Sequence, residues 1–98
     1  MTRTFDDLKN AIVAARSEIE ARYPIRLIGI FGSAARNERR LDSDVDILVE
    51  SRPGLSLTKL GAVTLALESA IGCPVDLVFE SSLSPRARSR VVSELRTL

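Results

Sequence analysis

The sequence predicts an α/β domain in which helices flank a small sheet. In the longer segments, apolar residues recur at three- and four-residue steps, the spacing of amphipathic helices. Short apolar, β-branched runs separate these segments, as expected of strands. The resulting order is helix, strand, short helix, strand, helix, strand, helix. The chain has 98 residues, close to the common size of one domain, so we expect a single domain over residues 1–98 with a modest core.

The first helix is predicted over residues 5–22. Thr4 and Asp7 resemble a capping box, with Asp in place of the usual Glu. The helix ends before Pro24, because the residue preceding a proline is disfavoured in the helical conformation. Residues 26–31 then form a short apolar run that predicts the first strand.

A turn and a second strand follow. Gly32 ends the first strand, and Ser33 is expected to cap a short helix that reaches about residues 36–37. Residues 37–43 are polar and predict a loop. Residues 45–49 are nearly all apolar, which is typical of a strand that lies centrally in its sheet.

The second half contains two more helices around a third strand. Ser56 is expected to cap a helix over residues 57–71, with Gly72 as its C-cap. Residues 75–79 predict the third strand. The last helix is expected to start at Ser84-Pro85, and one face of it would carry Ala87, Val91, Leu95 and Leu98.

Composition narrows the classes of function. The apolar fraction is 45% and the charged fraction is 28%, as in soluble globular domains. We expect no membrane span, since no run reaches about 18 apolar residues, and no signal peptide, since acidic residues precede any apolar segment. The single Cys73 cannot form an internal disulfide, which favours a reducing cytoplasm.

The net charge and the absence of histidine exclude further classes of function. The net charge is +1, so no global field would recruit nucleic acid, and we expect no stable nucleic-acid binding. The count of histidines is 0. Catalytic triads with histidine, histidine-ligated zinc and histidine general bases are therefore excluded. Acid, base or metal chemistry would have to come from carboxylates, lysine, tyrosine or the thiol.

Asp44 and Asp46 are the first candidate site residues. Residues i and i+2 of a strand point to the same face, about 6.6–6.8 Å apart along the chain, so both carboxylates could hold hard cations such as Mg²⁺. The alternative is a solvated acidic strand entrance, with Asp42 and Ser43 as turn residues. For an isolated Asp-x-Asp, this alternative is the more common case.

Gly32, Ser33 and Asp76 complete the candidates. Glycine lets a phosphate approach the backbone, and a helix that starts at Ser33 would offer free N–H groups; the alternative is a plain helix cap. Asp76 lies within the apolar residues 75–79, where a charge is costly unless it is paired or metal-bound. An edge-strand position open to water would explain Asp76 equally well.

Taken together, these blocks resemble the DNA polymerase β-like nucleotidyltransferase superfamily, and within it the minimal nucleotidyltransferases. Gly32-Ser33 and Asp44-x-Asp46 are separated by residues 34–43, and a helix and a strand with Asp76 follow. The matching blocks are Ile28-x-Ile30-Phe31-Gly32-Ser33-x-Ala35-Arg36, Ser43-Asp44-x-Asp46-Ile47-Leu48-Val49, Val75-Asp76-Leu77-Val78 and Leu83-x-Pro85. Members commonly have glycine where this chain has Asn37, a residue that also tolerates the left-handed conformation.

The resemblance implies a small mixed β-sheet flanked by helices, with the polymerase β-like fold. It implies transfer of AMP from ATP onto a tyrosine hydroxyl of a cognate HEPN-domain toxin, so that the chain acts as the antitoxin of a toxin–antitoxin pair. Asp44 and Asp46 would bind two Mg²⁺ ions. Asp76 would complete the coordination of the ion that activates the acceptor, or would act as the base for the acceptor hydroxyl. Gly32 and Ser33 would hold the nucleotide's β- and γ-phosphates.

Several alternatives stay open. The chain could neutralise a toxin by binding alone, without catalysis; transfer to a small molecule or to RNA ranks lower, because no second domain is evident. The domain could pair with itself or with the toxin. Arg36 could contact nucleotide phosphates or the partner, or could belong to a solvated charge run with Arg39 and Arg40. A solvated helix face is expected for Arg86, Arg88, Arg90 and Arg96, with binding of a partner as the less favoured alternative.

Overall fold

The computed structural model describes residues 4–38, 40 and 43–98. The expected turn residue Asp42 and the loop residue Arg39 lie outside this part. The helices are α1 (Phe5–Arg22), α2 (Gly32–Ala35), α3 (Leu57–Ile71) and α4 (Pro85–Glu94), with a 3-10 turn over Glu80–Ser82. The strands are β1 (Ile25–Phe31), β2 (Val45–Ser51), β3 (Val75–Phe79) and β4 (Arg96–Thr97).

The strands form one mixed sheet in the order β3-β2-β1-β4. β1 runs antiparallel to both β2 and β4, whereas β2 and β3 are parallel. The prediction of a small mixed sheet flanked by helices is therefore confirmed, and β2 is an interior strand as its apolar sequence predicted. β3 lies at one edge of the sheet.

The core joins α1 and α3 to the sheet. Val45 and Ile47 are fully buried on either side of Asp46 in the sequence, so the strand alternation directs Asp46 away from them. The fully buried side chains of the core come from α1, α3, β1 and β2: Leu8, Ile12, Ile25, Leu27, Ile30, Val45, Ile47, Val49, Val63, Leu67 and Ile71. No helix of the described residues is long and apolar enough to cross a bilayer.

Local sequence explains the ends of the two long helices. The predicted capping box forms, with Thr4 Oγ1 accepting from the Asp7 N–H at 3.2 Å and Asp7 Oδ2 accepting from the Thr4 N–H at 3.1 Å. Ser56 accepts from the Lys59 N–H at 3.2 Å. Gly72 ends α3 with a φ of 70°, as expected of a glycine C-cap.

Two predictions about the helices were wrong. α2 begins at Gly32, so Ser33 is its second residue and does not cap it. The last helix ends at Glu94, and Leu95 and Leu98 lie beyond it, because the chain turns back to add β4 beside β1. Gly29 permits this close approach, since a Cβ there would lie 2.7 Å from the Arg96 carbonyl oxygen.

Candidate functional site

A cavity of about 760 Å³ opens between the ends of β1 and β2 and helix α4. This volume lies within the range of about 300–1,000 Å³ typical of small-molecule sites. The strand wall consists of Phe31, Gly32, Ser33, Arg36 and Asp46, and the α4 wall consists of Ser84, Arg86, Ala87, Arg90, Val91 and Glu94. The predicted candidates Gly32, Ser33, Arg36 and Asp46 therefore share one wall.

Gly32 and Asp46 are in direct contact in the strand wall. Gly32 has a φ of +72°, in the left-handed region that favours glycine. A Cβ at this position would collide with Oδ2 of Asp46 and lie 3.3 Å from its Cγ. The β1–β2 register pairs Phe31 with Asp46, which places the carboxylate beside the turn. The missing side chain at Gly32 thus makes the space that the carboxylate occupies.

Asp46 is the electrostatic centre of the strand wall. Burial raises the pKa of Asp46 above its ordinary value, and the negative charges of Asp76, Asp44 and Glu94 raise it further, while Arg36 opposes them. The parallel β2–β3 register places Asp76 directly beside Asp46. The three predicted aspartates are therefore close enough to interact, and a cation would relieve their mutual repulsion.

Asp44 and Asp76 occupy different positions from Asp46. Asp44 lies just before β2 with an exposed side chain, and Asp76 is exposed on the edge strand β3. Water can solvate Asp76, so the cost of burying a charge does not identify it as functional. Its place next to Asp46 in the sheet is the observation that retains it as a candidate.

Among residues 4–38, 40 and 43–98, no three Asp, Glu or Cys side chains converge to enclose a metal ion. Mg²⁺ commonly takes only one or two protein carboxylates and completes its shell with water and substrate phosphates. A half-buried Asp46 with the charge of Asp44 nearby fits that donor set. Binding of metal by Asp44, Asp46 and Asp76 stays a prediction.

Arg36 links the two walls of the cavity. Its Nε donates to Glu38 Oε2 at 3.1 Å, and its Nη1 donates to Glu94 Oε1 at 2.8 Å. Glu94 belongs to α4, so this ion pair spans from the end of α2 to the opposite wall. Arg36 lines the cavity as a candidate phosphate ligand, but two carboxylates already hold its guanidinium.

Asn37 stabilises the turn after α2. Its φ of 61° is the only positive value outside glycine in the described chain, which agrees with the conformational role expected at this position. Its Oδ1 also accepts from the Phe5 N–H at 3.1 Å. Asparagine therefore supplies a link to the start of α1 that glycine could not supply.

The sequence did not identify Arg86 and Arg90 as residues of the cavity. The four C-terminal arginines, expected on one solvated face, have three separate environments. Arg88 pairs with Glu80 at 3.0 Å, and Arg96, in β4, stacks 3.6 Å from the Phe5 ring centroid. Arg86 and Arg90 have exposed side chains but line the α4 wall. Their four-residue spacing places them on one helix face, although nothing local to α4 indicates what that face meets.

Sequence comparisons cover nearly the whole chain. The model of the nucleotidyltransferase domain family matches residues 12–98. The protein adenylyltransferase MntA of Thermococcus cleftensis is 38% identical over 92 residues, which are 94% of this chain and 93% of that protein.

Solved structures share the fold. A proposed minimal nucleotidyltransferase superposes with a TM-score of 0.74 at 39% identity, covering 94% of this chain and 96% of its own. A toxin–antitoxin complex crystallised with AMP-PNP gives a TM-score of 0.68 at 26% identity, covering 91% of this chain and 70% of the matched one. The predicted polymerase β-like architecture is thereby confirmed.

Proposed function

The chain belongs to the nucleotidyltransferase domain family, and from this premise we propose that it is a Mg²⁺-dependent protein adenylyltransferase. The predicted resemblance to minimal nucleotidyltransferases is confirmed by its relatives. The observation that carries the proposal is the contact between Gly32 and Asp46 at the wall of a nucleotide-sized cavity. This contact supports the proposal because it brings the turn that would bind phosphate next to the carboxylate that would bind Mg²⁺.

The proposed reaction transfers AMP from ATP to a hydroxyl group. The hydroxyl oxygen of the acceptor forms a bond to the α-phosphorus, and the bond from that phosphorus to the oxygen bridging to the β-phosphorus breaks. Pyrophosphate leaves with the bridging oxygen, and the hydroxyl proton passes to Asp76 or to water. Catalysis of this kind consists mainly of positioning and charge stabilisation.

Asp44 and Asp46 are the residues that would hold Mg²⁺, with Asp76 as a further ligand for a second ion or as the base. When bound, the metal would neutralise phosphate charge and orient the reacting oxygens. The chain's own part is geometric. The interior strand β2 fixes Asp46, Gly32 leaves its carboxylate room, and the backbone of Gly32 and Ser33 would take the β- and γ-phosphates.

The acceptor we propose is a tyrosine of a cognate HEPN-domain toxin, which makes this chain a cytoplasmic antitoxin. Two structural neighbours at 26% and 28% identity are chains of toxin–antitoxin complexes, and the relative from Thermococcus cleftensis is a protein adenylyltransferase. Modification of the toxin would then neutralise it, and the complex with the toxin would be the functional assembly.

Incubation with labelled ATP, Mg²⁺ and the product of the neighbouring gene, as the candidate toxin, provides the test. Wild type should label the toxin, and Asp44→Asn with Asp46→Asn should reduce labelling by at least about 1,000-fold, since charge stabilisation dominates phosphoryl transfer. Glu18→Gln is the matched control, because it removes one carboxylate from a 76% exposed side chain outside the cavity wall.

Two results would contradict the proposal. Absence of label with wild type, or equal labelling by the double variant, would exclude adenylyl transfer by this site. A toxicity assay separates the alternative mechanism. Full neutralisation of the toxin by the double variant would instead favour an antitoxin that acts by binding alone.

A further inference from the structure

Arg86 and Arg90 present positive charge to the cavity from the wall that faces Gly32 and Ser33. They lie four residues apart on α4, so their side chains project from the same face of the helix. Both line the cavity together with Gly32, Ser33 and Asp46. The cavity therefore has Asp46 on its strand wall and two cationic side chains on its α4 wall, where the carboxylate of Glu94 is paired with Arg36.

Among residues 4–38, 40 and 43–98, no carboxylate neutralises the charge of either arginine. Arg36 is held by Glu38 and Glu94, and Arg88 is held by Glu80. Across the described residues, no ion pair involves Arg86 or Arg90. The α4 wall thus keeps guanidinium groups available for a ligand, while the neighbouring arginines are neutralised.

The positive charge of Arg86 is electrostatically unfavourable at the N-terminus of α4. It lies in the first turn of α4, and that turn contains no acidic residue. The positive end of the helix dipole disfavours a cation there. A bound anion in the cavity would relieve this repulsion, which gives a physical reason for a basic residue at the position.

We infer that Arg86 and Arg90 bind the β- and γ-phosphates of the nucleoside triphosphate and stabilise the pyrophosphate leaving group. This inference rests on the proposed function and adds two ligand-binding residues to the substrate site. Guanidinium groups suit phosphate oxygens, since they donate several parallel hydrogen bonds. As the bond to the α-phosphorus breaks, negative charge grows on the bridging oxygen and remains on the departing pyrophosphate.

Binding titrations of the full chain with Mg²⁺ and ATP, pyrophosphate or AMP test the inference. Arg86→Gln combined with Arg90→Gln should weaken ATP and pyrophosphate binding by about 10- to 100-fold, as expected for lost charge-assisted hydrogen bonds. AMP lacks the two terminal phosphates, so its affinity should change by less than about twofold. The dependence of ATP affinity on salt should also become shallower.

Two further variants complete the design. Arg88→Gln removes the same charge from the same helix outside the cavity wall, and it should leave all three affinities unchanged. Arg86→Lys with Arg90→Lys keeps both charges and should retain more ATP affinity than the glutamine variant, because only the fork geometry is lost.

The outcomes separate this inference from the proposed function. Equal losses for ATP and AMP, or no loss for either, would overturn it, and so would weakened toxin binding with unchanged ATP affinity. If wild type binds ATP and pyrophosphate through these arginines but labels no acceptor, adenylyl transfer fails while the inference stands. If wild type binds no ATP, both fail.

Discussion

The two walls of the cavity are built in different ways. The strand wall belongs to elements that run through the core, and Asp46 stands between the fully buried Val45 and Ile47. The α4 wall belongs to a largely polar helix whose one buried side chain is Val91. Its other described attachments include the ion pairs of Glu94 with Arg36 and of Arg88 with Glu80.

This difference suits the two roles that we propose for the walls. Groups that act on the reacting phosphorus need fixed positions, because small displacements there cost large factors in rate. Charges that bind the outer phosphates tolerate more freedom, since Coulomb attraction falls slowly with distance. Core strands supply the first kind of position, and a peripheral helix is sufficient for the second.

Among the variants that test this comparison of the two walls, Gly32→Ala should have the largest effect, because it disrupts the strand wall. The new Cβ would collide with the Asp46 carboxylate, and the φ of +72° disfavours any residue with a side chain. We expect adenylyl transfer to fall by at least about 100-fold and the free energy of unfolding to fall by about 1–2 kcal/mol. Labelling assays and chemical denaturation measure the two effects.

Substitutions at two other glycines separate the effect of backbone strain from that of the collision with Asp46. Gly72→Ala has the same backbone strain, with a φ of +70°, but open space around its Cβ. It should lose stability and keep activity. Gly61→Ala lies in a helix with no atom within 4 Å of the new Cβ, so it should gain up to about 1 kcal/mol. Retention of activity by Gly32→Ala would show that the contact with Asp46 has no catalytic importance.

The strand wall could be predicted from sequence because the residues that form it lie close together in the chain. Gly32-Ser33 directly follows β1 and Asp44-x-Asp46 spans the start of β2, so the two motifs are close in sequence, and the alternation of apolar residues sets which way Asp46 points. The helices and strands with strong periodicity or clear caps were also predictable. The predicted bounds of α1, α3 and β3 agree with the structure.

The α4 wall could not be predicted because its role depends on tertiary placement. The same spacing of Arg86 and Arg90 suits a solvated face or a cavity wall, and only the packing of α4 across from Gly32 distinguishes them. β4 was missed for a similar reason. Two residues give no periodic pattern, and their pairing depends on the missing side chain of Gly29.

A smaller effect concerns the stability of the metal-free protein. The pKa of Asp46 is raised in the folded state above the ordinary 3.8, so folding favours its protonated form. Its contribution to stability is full below about pH 3.9, where both states are protonated, and is lost as pH rises through the folded pKa. At neutral pH, the charged Asp46 therefore destabilises the fold.

Asp46→Asn should consequently raise the free energy of unfolding at pH 7, with a chelator present, by less than about 1 kcal/mol, because water screens the half-exposed site. This gain in stability should vanish below about pH 3.9, where Asp46 is protonated in both the folded and the unfolded state. Thermal denaturation across pH measures it, and Glu18→Gln should show no comparable gain. A destabilised Asp46→Asn variant at neutral pH would mean that burial and the neighbouring carboxylates do not disfavour the charged form of Asp46.

The smallest effect tests the connection between the walls. Arg36 and Glu94 pair at 2.8 Å with side-chain exposures of 45% and 22%, so a double-mutant cycle with Arg36→Gln and Glu94→Gln should give a coupling of about 0.5–1 kcal/mol. The exposed Arg22–Glu18 pair at 3.8 Å should give less than about 0.3 kcal/mol. If α4 is held mainly by Val91, the two cycles will give equal values. A larger coupling for Arg36 and Glu94 would show that this ion pair holds the α4 wall against the strand wall.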